Sequence, residues 1–350
     1  MLPTKEIKKL AYQIGFDLVS ISSANPDPLD EERYKSWVEQ GHAAELSYMS
    51  RVIPRRWMPQ DLLVDVKSVI TFGVNFFSGA KKMEPRFGFG RVARYAWGKD
   101  YHIVLKKRLE AWVKLLQENI MGELHYKILV DSSPFLERSF ARRGGLGFVG
   151  KNTLLISRKL GSFIFLCEVL TNLELESDEI KVLSSISTKD ECGSCKECLV
   201  ECPTGALVNS RNLDARKCIS YWTIEYRGEI PENFRPSIGD WIFGCDICQD
   251  VCPYTGLSKE TQWKEFLPES GASPYLSLLE VLQIESEEKF KKRFEGSPIL
   301  RAKRSGLVRN SCIVSANQKF KEAVPYLEKI AKEDPDPMLQ THALWALNQF

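Results

Sequence analysis

Eight of the chain's ten cysteines stand in two runs whose spacing leaves the fold around them little freedom. The first run is Cys192-x2-Cys195-x2-Cys198-x3-Cys202, followed by Pro203; the second is Cys218, then Cys245-x2-Cys248-x3-Cys252, followed by Pro253. C-x2-C-x2-C-x3-C-P is the spacing of bacterial ferredoxin-type 4Fe–4S proteins, and with two clusters the fourth cysteine of a run ligates the other cluster. The crossing assigns one cluster to Cys192, Cys195, Cys198 and Cys252, and the other to Cys202, Cys218, Cys245 and Cys248. Soft, anionic thiolates suit iron, tight loops put three sulfurs on one face of a cubane, and each proline turns the chain away. Disulfides do not fit, because the N-terminal MLPTKEIKKL is no secretory signal and a reducing compartment is expected. Paired four-cysteine zinc sites are the other reading of the CxxC spacings, but they leave Cys198 and the Cys-Pro pairs without a purpose. Cys167, in FIFLCEVL, and Cys312, in RNSCIVSA, read as small buried hydrophobes.

At 350 residues the chain is too long for a ferredoxin alone, and 43% hydrophobic content supplies real cores. A net charge of +2 implies nothing about nucleic acid by itself, but its distribution does. Between Lys289 and Arg309 stand eight Lys/Arg and one acidic residue, Glu295. No segment approaches the roughly 20 apolar residues of a membrane span; the best, Gly161 to Leu173, is short and interrupted by Glu168. A soluble cytoplasmic protein with no membrane partner, acting as a monomer, is expected.

The spacing predicts three regions in a multidomain α+β chain: an α/β catalytic domain over 1–175, a ferredoxin-like unit over 176–258 and a helical region over 259–350. In the first, Ile7, Leu10, Ala11 and Ile14 recur at helical spacing, and DLVSIS, SVITFGVNF, KILVDS, NTLLIS and SFIFLCEVL read as strands. Ile103 to Leu116 is an amphipathic helix; Ser133-Pro134 resembles a cap with proline at the first helical position, closed by Gly144-Gly145. A polar linker follows over 173–191. An insert, Asn209 to Gly244, separates the cysteine groups. Helices then succeed one another, and VPYLEKIAKEDPDPMLQTHALWAL has the look of one HEAT-type unit.

RYAWGKDYH, VDSSPFLERSFARRGGLGFVGKNTLLI, CGSCKECLVECPTGAL, CISYWTIE and FGCDICQDVCPY together make the chain resemble the epoxyqueuosine reductase family, cobalamin and iron–sulfur enzymes of tRNA modification. The resemblance implies an N-terminal domain that holds cobalamin and two 4Fe–4S clusters that pass electrons singly to cobalt, from an external donor. It also implies reduction of epoxyqueuosine to queuosine in a tRNA anticodon, with tRNA docking partly on the C-terminal helices. It matches Asp131 to the proton donor and places Arg51, Arg138, Asn152, Leu155, Leu166, Ser220, Cys245 and Asp246 near the cofactor. Ala93 occupies a cofactor-side position where some members carry cysteine, so a thiol has no role there.

On its residues alone, Asp131 follows a strand and precedes a helix, where it could merely assist the Ser133 cap; beside an apolar corrin its carboxyl would be pushed up and stay protonated. Asp100-Tyr101-His102 invites a cobalt-ligand reading, but Leu105 stands where D-x-H-x-x-G needs glycine; His102 is expected in the pocket, not on cobalt. The Gly144–Asn152 stretch is not a Walker loop, and its glycines read as letting backbone approach a large flat cofactor. Arg301, Lys303, Arg304 and Arg309, backed by Lys291, Lys292 and Arg293, are expected at tRNA phosphates. Tyr221, Trp222 and Tyr226 are read either as stacking on an unpaired base or as core of the insert. Three other functions compete: a cobalamin-dependent reductive dehalogenase of small molecules, an electron-carrying ferredoxin, and a HEAT-type binding module. The first should carry an export signal, the second leaves 1–175 idle, and the third leaves the cysteines idle.

Overall fold

The computed structural model describes residues 3–51, 53–79, 83–179 and 191–350. The β-branched and aromatic runs form strands β1 (Leu18–Ser23), β2 (Ser68–Asn75), β3 (Phe89–Val92), β4 (Tyr126–Leu129) and β5 (Ile164–Thr171). Strands β1, β2, β5 and β4 hydrogen-bond in that order, and every pairing is antiparallel. The expected α/β layer is therefore corrected to an antiparallel sheet with helices on both faces. Side chains alternate across it. Ile70, Phe72, Val74, Cys167 and Val169 pack with helices α1 (Thr4–Gln13) and α2 (Tyr101–Asn119). Val69, Leu129 and Leu170 pack on the other side with Phe140 of α3 (Glu137–Arg143). All eight residues of β2 are buried because both faces are covered.

Helix α3 begins at Glu137, not at Ser133-Pro134, and its Leu136 cap makes no side-chain bond. The residues between the expected cap and the helix turn instead, the Phe135 N–H donating to the Ser133 carbonyl at 2.8 Å. Strand β3 does not join the first sheet. It lies between β6 (Trp241–Phe243), parallel to it, and β7 (Tyr275–Ser277), antiparallel to it. One strand from each sequence region is thus stitched into one sheet. The expected linker falls partly outside the described residues; its described end is tied down, Asp178 to the Ile21 N–H at 2.8 Å and to Lys8, and Glu179 to Arg143.

The helical stretch from Ile299 is divided at Lys303, whose φ is +58°. A short turn, Pro298–Ala302, precedes it, and α4 (Lys303–Gln318) follows. Most of α4 is buried, and that corrects two expectations. Arg309 is fully buried and donates to the Tyr226, Gly228 and Trp222 carbonyls at 2.9, 2.8 and 2.5 Å. Arg304 is buried against Asp334 and the Ile284 carbonyl. Both tie α4 to its neighbours and are withdrawn from solvent phosphate. Tyr221 and Trp222 are buried in the core of the insert, with Tyr226 packed against them. Helices α5 (Val324–Glu333) and α6 (Pro337–Leu347) pack on each other and α6 packs on α4; Asp336 caps α6 through the Met338 N–H.

Candidate active site beside the cysteine loops

Cys192, Cys195, Cys198 and Cys252 line one cavity of about 180 Å³, together with Lys151, Asn152 and Tyr254. Burial pushes the Cys198 thiol up to about 11, and the neighbouring Cys192, Cys252 and Cys195 add to it. The other four sulfurs gather likewise. Burial raises the Cys248 thiol first, then Cys218 and, beyond Asp246, Cys202; burial raises Cys245, then Cys248 and Cys218. Thiols that resist ionising side by side are a set that a multivalent metal centre can hold as thiolates. Among the described residues, no three His, Cys, Asp or Glu side chains converge closely enough to hold one metal ion. Four sulfurs at ferredoxin spacing around one cavity fit a polynuclear cluster.

The loops are held from the Gly-rich turn. Lys151 Nζ donates to the Gly193 and Cys195 carbonyls at 2.6 and 2.9 Å. Asn152, also buried, donates to the Cys248 carbonyl at 3.2 Å. Two glycines there are required by the chain's own packing: a Cβ at Gly147 would lie 2.3 Å from the Ile156 oxygen, and one at Gly150 2.4 Å from the Ile156 side chain. Cys202 Sγ accepts the Ala206 N–H at 3.3 Å, the kind of bond that tunes cluster potential. Asp246, between two cysteines, is buried and accepts the Arg94 N–H at 2.6 Å.

The second half of the site is an open cleft around Asp131. Its φ is +50°, and the Ser132 N–H turns back to the Val130 carbonyl. A three-residue turn with positive φ is a strained conformation that aspartate tolerates better than most residues. Glu137 Oε1 holds the turn by accepting the Asp131 N–H at 2.7 Å. The carboxylate accepts from the Tyr101 hydroxyl at 2.5 Å and faces His102 Nε2 at 3.4 Å. His102 Nδ1 meets Asp100 at 2.8 Å. Asp100 also caps α2 through the His102 N–H. Both ring nitrogens thus face carboxylates, Nδ1 that of Asp100 and Nε2 that of Asp131. Tyr101 stacks on Phe165 at 4.3 Å. The Asp131 side chain keeps 58% of its surface accessible although protein rings it closely.

The charges settle where a proton rests. Burial alone would raise the Asp131 carboxyl, but hydrogen bonds from His102 and Tyr101 and the charges of His102 and Arg138 outweigh it and hold it below the usual range. Burial disfavours charged His102, yet its bonds to Asp100 and Asp131 raise it to about 9. In the protein alone these shifts favour the proton on His102; the expectation of a protonated Asp131 concerns a carboxyl beside a bound corrin, a different environment. Because the folded ring binds its proton more tightly than the unfolded ring at 6.5, this contribution to stability is full below about pH 6.5 and fades as pH rises through about 9. NMR titration of the cobalamin-free protein should give a His102 midpoint near 9, falling toward the ordinary value in Asp131→Asn; an unshifted His102 would show that the pair does not form.

Arg138, exposed at the cleft, donates to the Thr153 carbonyl. Arg51 is exposed, Ser220 and Cys245 are half-buried, and Leu155, Leu166 and Ala93 are buried. Ala93 packs so close to Gly244 that a Cβ there would lie 2.4 Å away. Tyr95, half-buried, feels the charges of both Asp131 and Asp246. Arg301 forks onto Glu225 at 2.9 and 2.8 Å and lies 5.6 Å from the Tyr48 ring. Tyr48 also feels Asp131, so Arg301 borders the cleft. Lys291, Lys292, Arg293 and Lys303 are exposed. Sequence reasoning gave no role to Tyr101, Glu137 or Glu168; the visible signal was Glu168, an acid inside an apolar strand.

Residues 56–132 match a family model described as epoxyqueuosine reductase QueG, DUF1730, and residues 191–255 match a 4Fe–4S double cluster binding domain. The chain is 36% identical to an epoxyqueuosine reductase of Pseudomonas aeruginosa over 99% of its length and 94% of that protein's. It is 35% identical to one of Escherichia coli, over 99% and 89%. Among solved structures, an epoxyqueuosine reductase with a tRNA-Tyr epoxyqueuosine-modified stem loop superposes with a TM-score of 0.88 at 31% identity, covering 99% of this chain and 89% of that one. One from Bacillus subtilis, with its catalytic aspartate loop swung out of the active site, gives 0.85 at 30%, over 99% and 89%.

Proposed function

Because the chain belongs to the epoxyqueuosine reductase family, we propose that it reduces epoxyqueuosine in a tRNA anticodon to queuosine, in the cytoplasm, as a monomer fed by an external electron donor. The observation that carries the reading is an accessible aspartate, on a strained turn and beside a histidine held in its protonated form, with half-buried Tyr95 feeling its charge and that of Asp246 beside the cysteine loops. The overall change breaks both C–O bonds of the epoxide, forms a C=C bond and releases water, consuming two electrons and two protons.

Two 4Fe–4S clusters fit the sulfur sets Cys192, Cys195, Cys198, Cys252 and Cys202, Cys218, Cys245, Cys248. Bound cobalamin supplies low-valent cobalt as the immediate reductant. Asp131 and Arg138, both exposed, offer hydrogen-bonding groups to a corrin, and Leu155 and Leu166 apolar ones; Arg51, Ala93, Asn152, Ser220, Cys245 and Asp246 complete the residues proposed around it. Asp131 delivers a proton to the epoxide oxygen; Tyr101 aims its carboxylate, and His102 holds the proton that the pair supplies. Arg301, on the cleft border, meets the anticodon nucleotide. Anaerobic enzyme with reductant, cobalamin and epoxyqueuosine tRNA should yield queuosine on nucleoside analysis; intact epoxyqueuosine with both clusters and cobalamin loaded would refute the assignment.

The tRNA backbone is proposed to lie along the exposed Lys291, Lys292, Arg293 and Lys303. Reversing the charge of Lys291, Lys292 and Lys303 together should weaken tRNA binding and lower the salt slope by roughly 0.7–0.9 for each phosphate no longer neutralised. Iron content should be unchanged. An unaltered slope would show a merely solvated surface.

A further inference from the structure

Glu168 is fully buried in the middle of β5, between apolar neighbours. In register across the sheet it forms a row with Thr71 and Ser20 on one side and Leu129 on the other. Among the described residues, neither Glu168 oxygen, nor Thr71 Oγ1, nor Ser20 Oγ meets an ordinary hydrogen-bond partner. The carboxyl of Glu137, on α3, is the charged group that acts most on Glu168, ahead of Asp131. Two ionised carboxylates there would repel, and neither would have a donor. One proton between them turns that repulsion into a hydrogen bond. Glu137 also touches the active turn, since its Oε1 accepts the Asp131 N–H at 2.7 Å.

The surroundings favour the proton. Strands β1 and β2 carry no charged side chain. On α3, Arg142 and Arg143 are committed to Asp27 and Glu179, and Arg138 is the remaining cation. From the cleft side come Asp131, His102 and Tyr101; Cys167, next to Glu168, packs in the core on the opposite face. Burial, with the Asp131 charge, raises Glu137 to about 8 despite Arg138. Burial, then Glu137, raises Glu168 well above the usual range.

We propose that Glu137 and Glu168 share a proton and form the reserve that recharges Asp131 during turnover. The inference rests on Asp131 being the donor. Loss of the epoxide oxygen as water takes two protons alongside the two electrons. The His102–Asp131 pair holds one. After it is spent, His102 is neutral and its charge no longer holds Asp131 low; burial then raises the Asp131 carboxylate, and the proton of Glu137 passes to it. Solvent then reprotonates the pair. Glu137 and Glu168 are positioning residues that act through Asp131 and do not touch substrate.

The first test needs no variant. Infrared spectra of cobalamin-free, cluster-loaded protein should show a buried carboxylic-acid C=O band at pH 7 that shifts in D2O and disappears as pH rises past about 8. In the double variant Glu137→Gln, Glu168→Gln the band should be gone. The amide at 137 still accepts the Asp131 N–H, so the turn stays in place. Turnover of loaded wild-type enzyme should fall with an inflection near 8; the double variant should be slower by at least about tenfold at pH 7 and lack that inflection. No acid band at pH 7, or a double variant that keeps the inflection, overturns the reserve. Asp131→Asn separates the two readings: it should keep the band and lose turnover, whereas normal turnover there defeats the donor assignment itself.

Discussion

Asp131→Asn should retain both clusters, cobalamin and tRNA binding and lose turnover by roughly 100-fold or more. Opening the epoxide leaves charge on oxygen until a proton arrives. Asparagine keeps the size of aspartate, tolerates its φ of +50° and still accepts from the Tyr101 hydroxyl. It cannot deliver a proton at a useful rate. The substitution therefore removes the chemical role while sparing the turn. Single-turnover assays with pre-reduced enzyme isolate this step from electron supply. A near-normal rate there would remove Asp131 from the mechanism and leave His102, already carrying the pair's proton, as the leading donor.

How far the site was legible follows from what kind of signal each part leaves. Cysteine spacing is dictated by cluster geometry, so the runs named their partners across more than fifty residues, and the cavity brings Cys252 to Cys192, Cys195 and Cys198. The strands of the first sheet were legible because β-branched residues at alternating positions face two cores. Their antiparallel order was not, since the same helix-and-strand alternation serves both arrangements and pairing is a long-range choice. The Asp131 turn was hidden by a capping pattern at Ser133-Pro134 that tertiary contacts override. The basic run from Lys289 to Arg309 mixes two roles at one composition: Lys291, Lys292, Arg293 and Lys303 are exposed, while Arg304 and Arg309 spend their guanidinium groups on buried carbonyls and Asp334. Charge alone does not separate those cases; burial does.

Exchange between the two runs makes the remaining large effect. Cys252→Ala should abolish the cluster held by Cys192, Cys195 and Cys198, even though Cys252 belongs to the second run, and Cys202→Ala should abolish the one held by Cys218, Cys245 and Cys248. Each variant should retain about four iron and four sulfide of the roughly eight expected on anaerobic reconstitution. The sulfur sets decide the pairing: Cys252 lines the cavity with the first three cysteines, and Cys202 acts on the thiols of Cys218 and Cys248. The two losses should differ in consequence. The Cys202 set includes Cys245 and Cys248, which flank Asp246 and, through Tyr95, the Asp131 cleft, so its loss should silence turnover even with chemically reduced protein. Loss of the Cys252 set should slow delivery of electrons from outside while leaving single turnover of pre-reduced enzyme measurable. Spectra showing that each alanine removes only its own run's cluster would defeat the crossed assignment, and stoichiometric zinc without sulfide would defeat the clusters altogether.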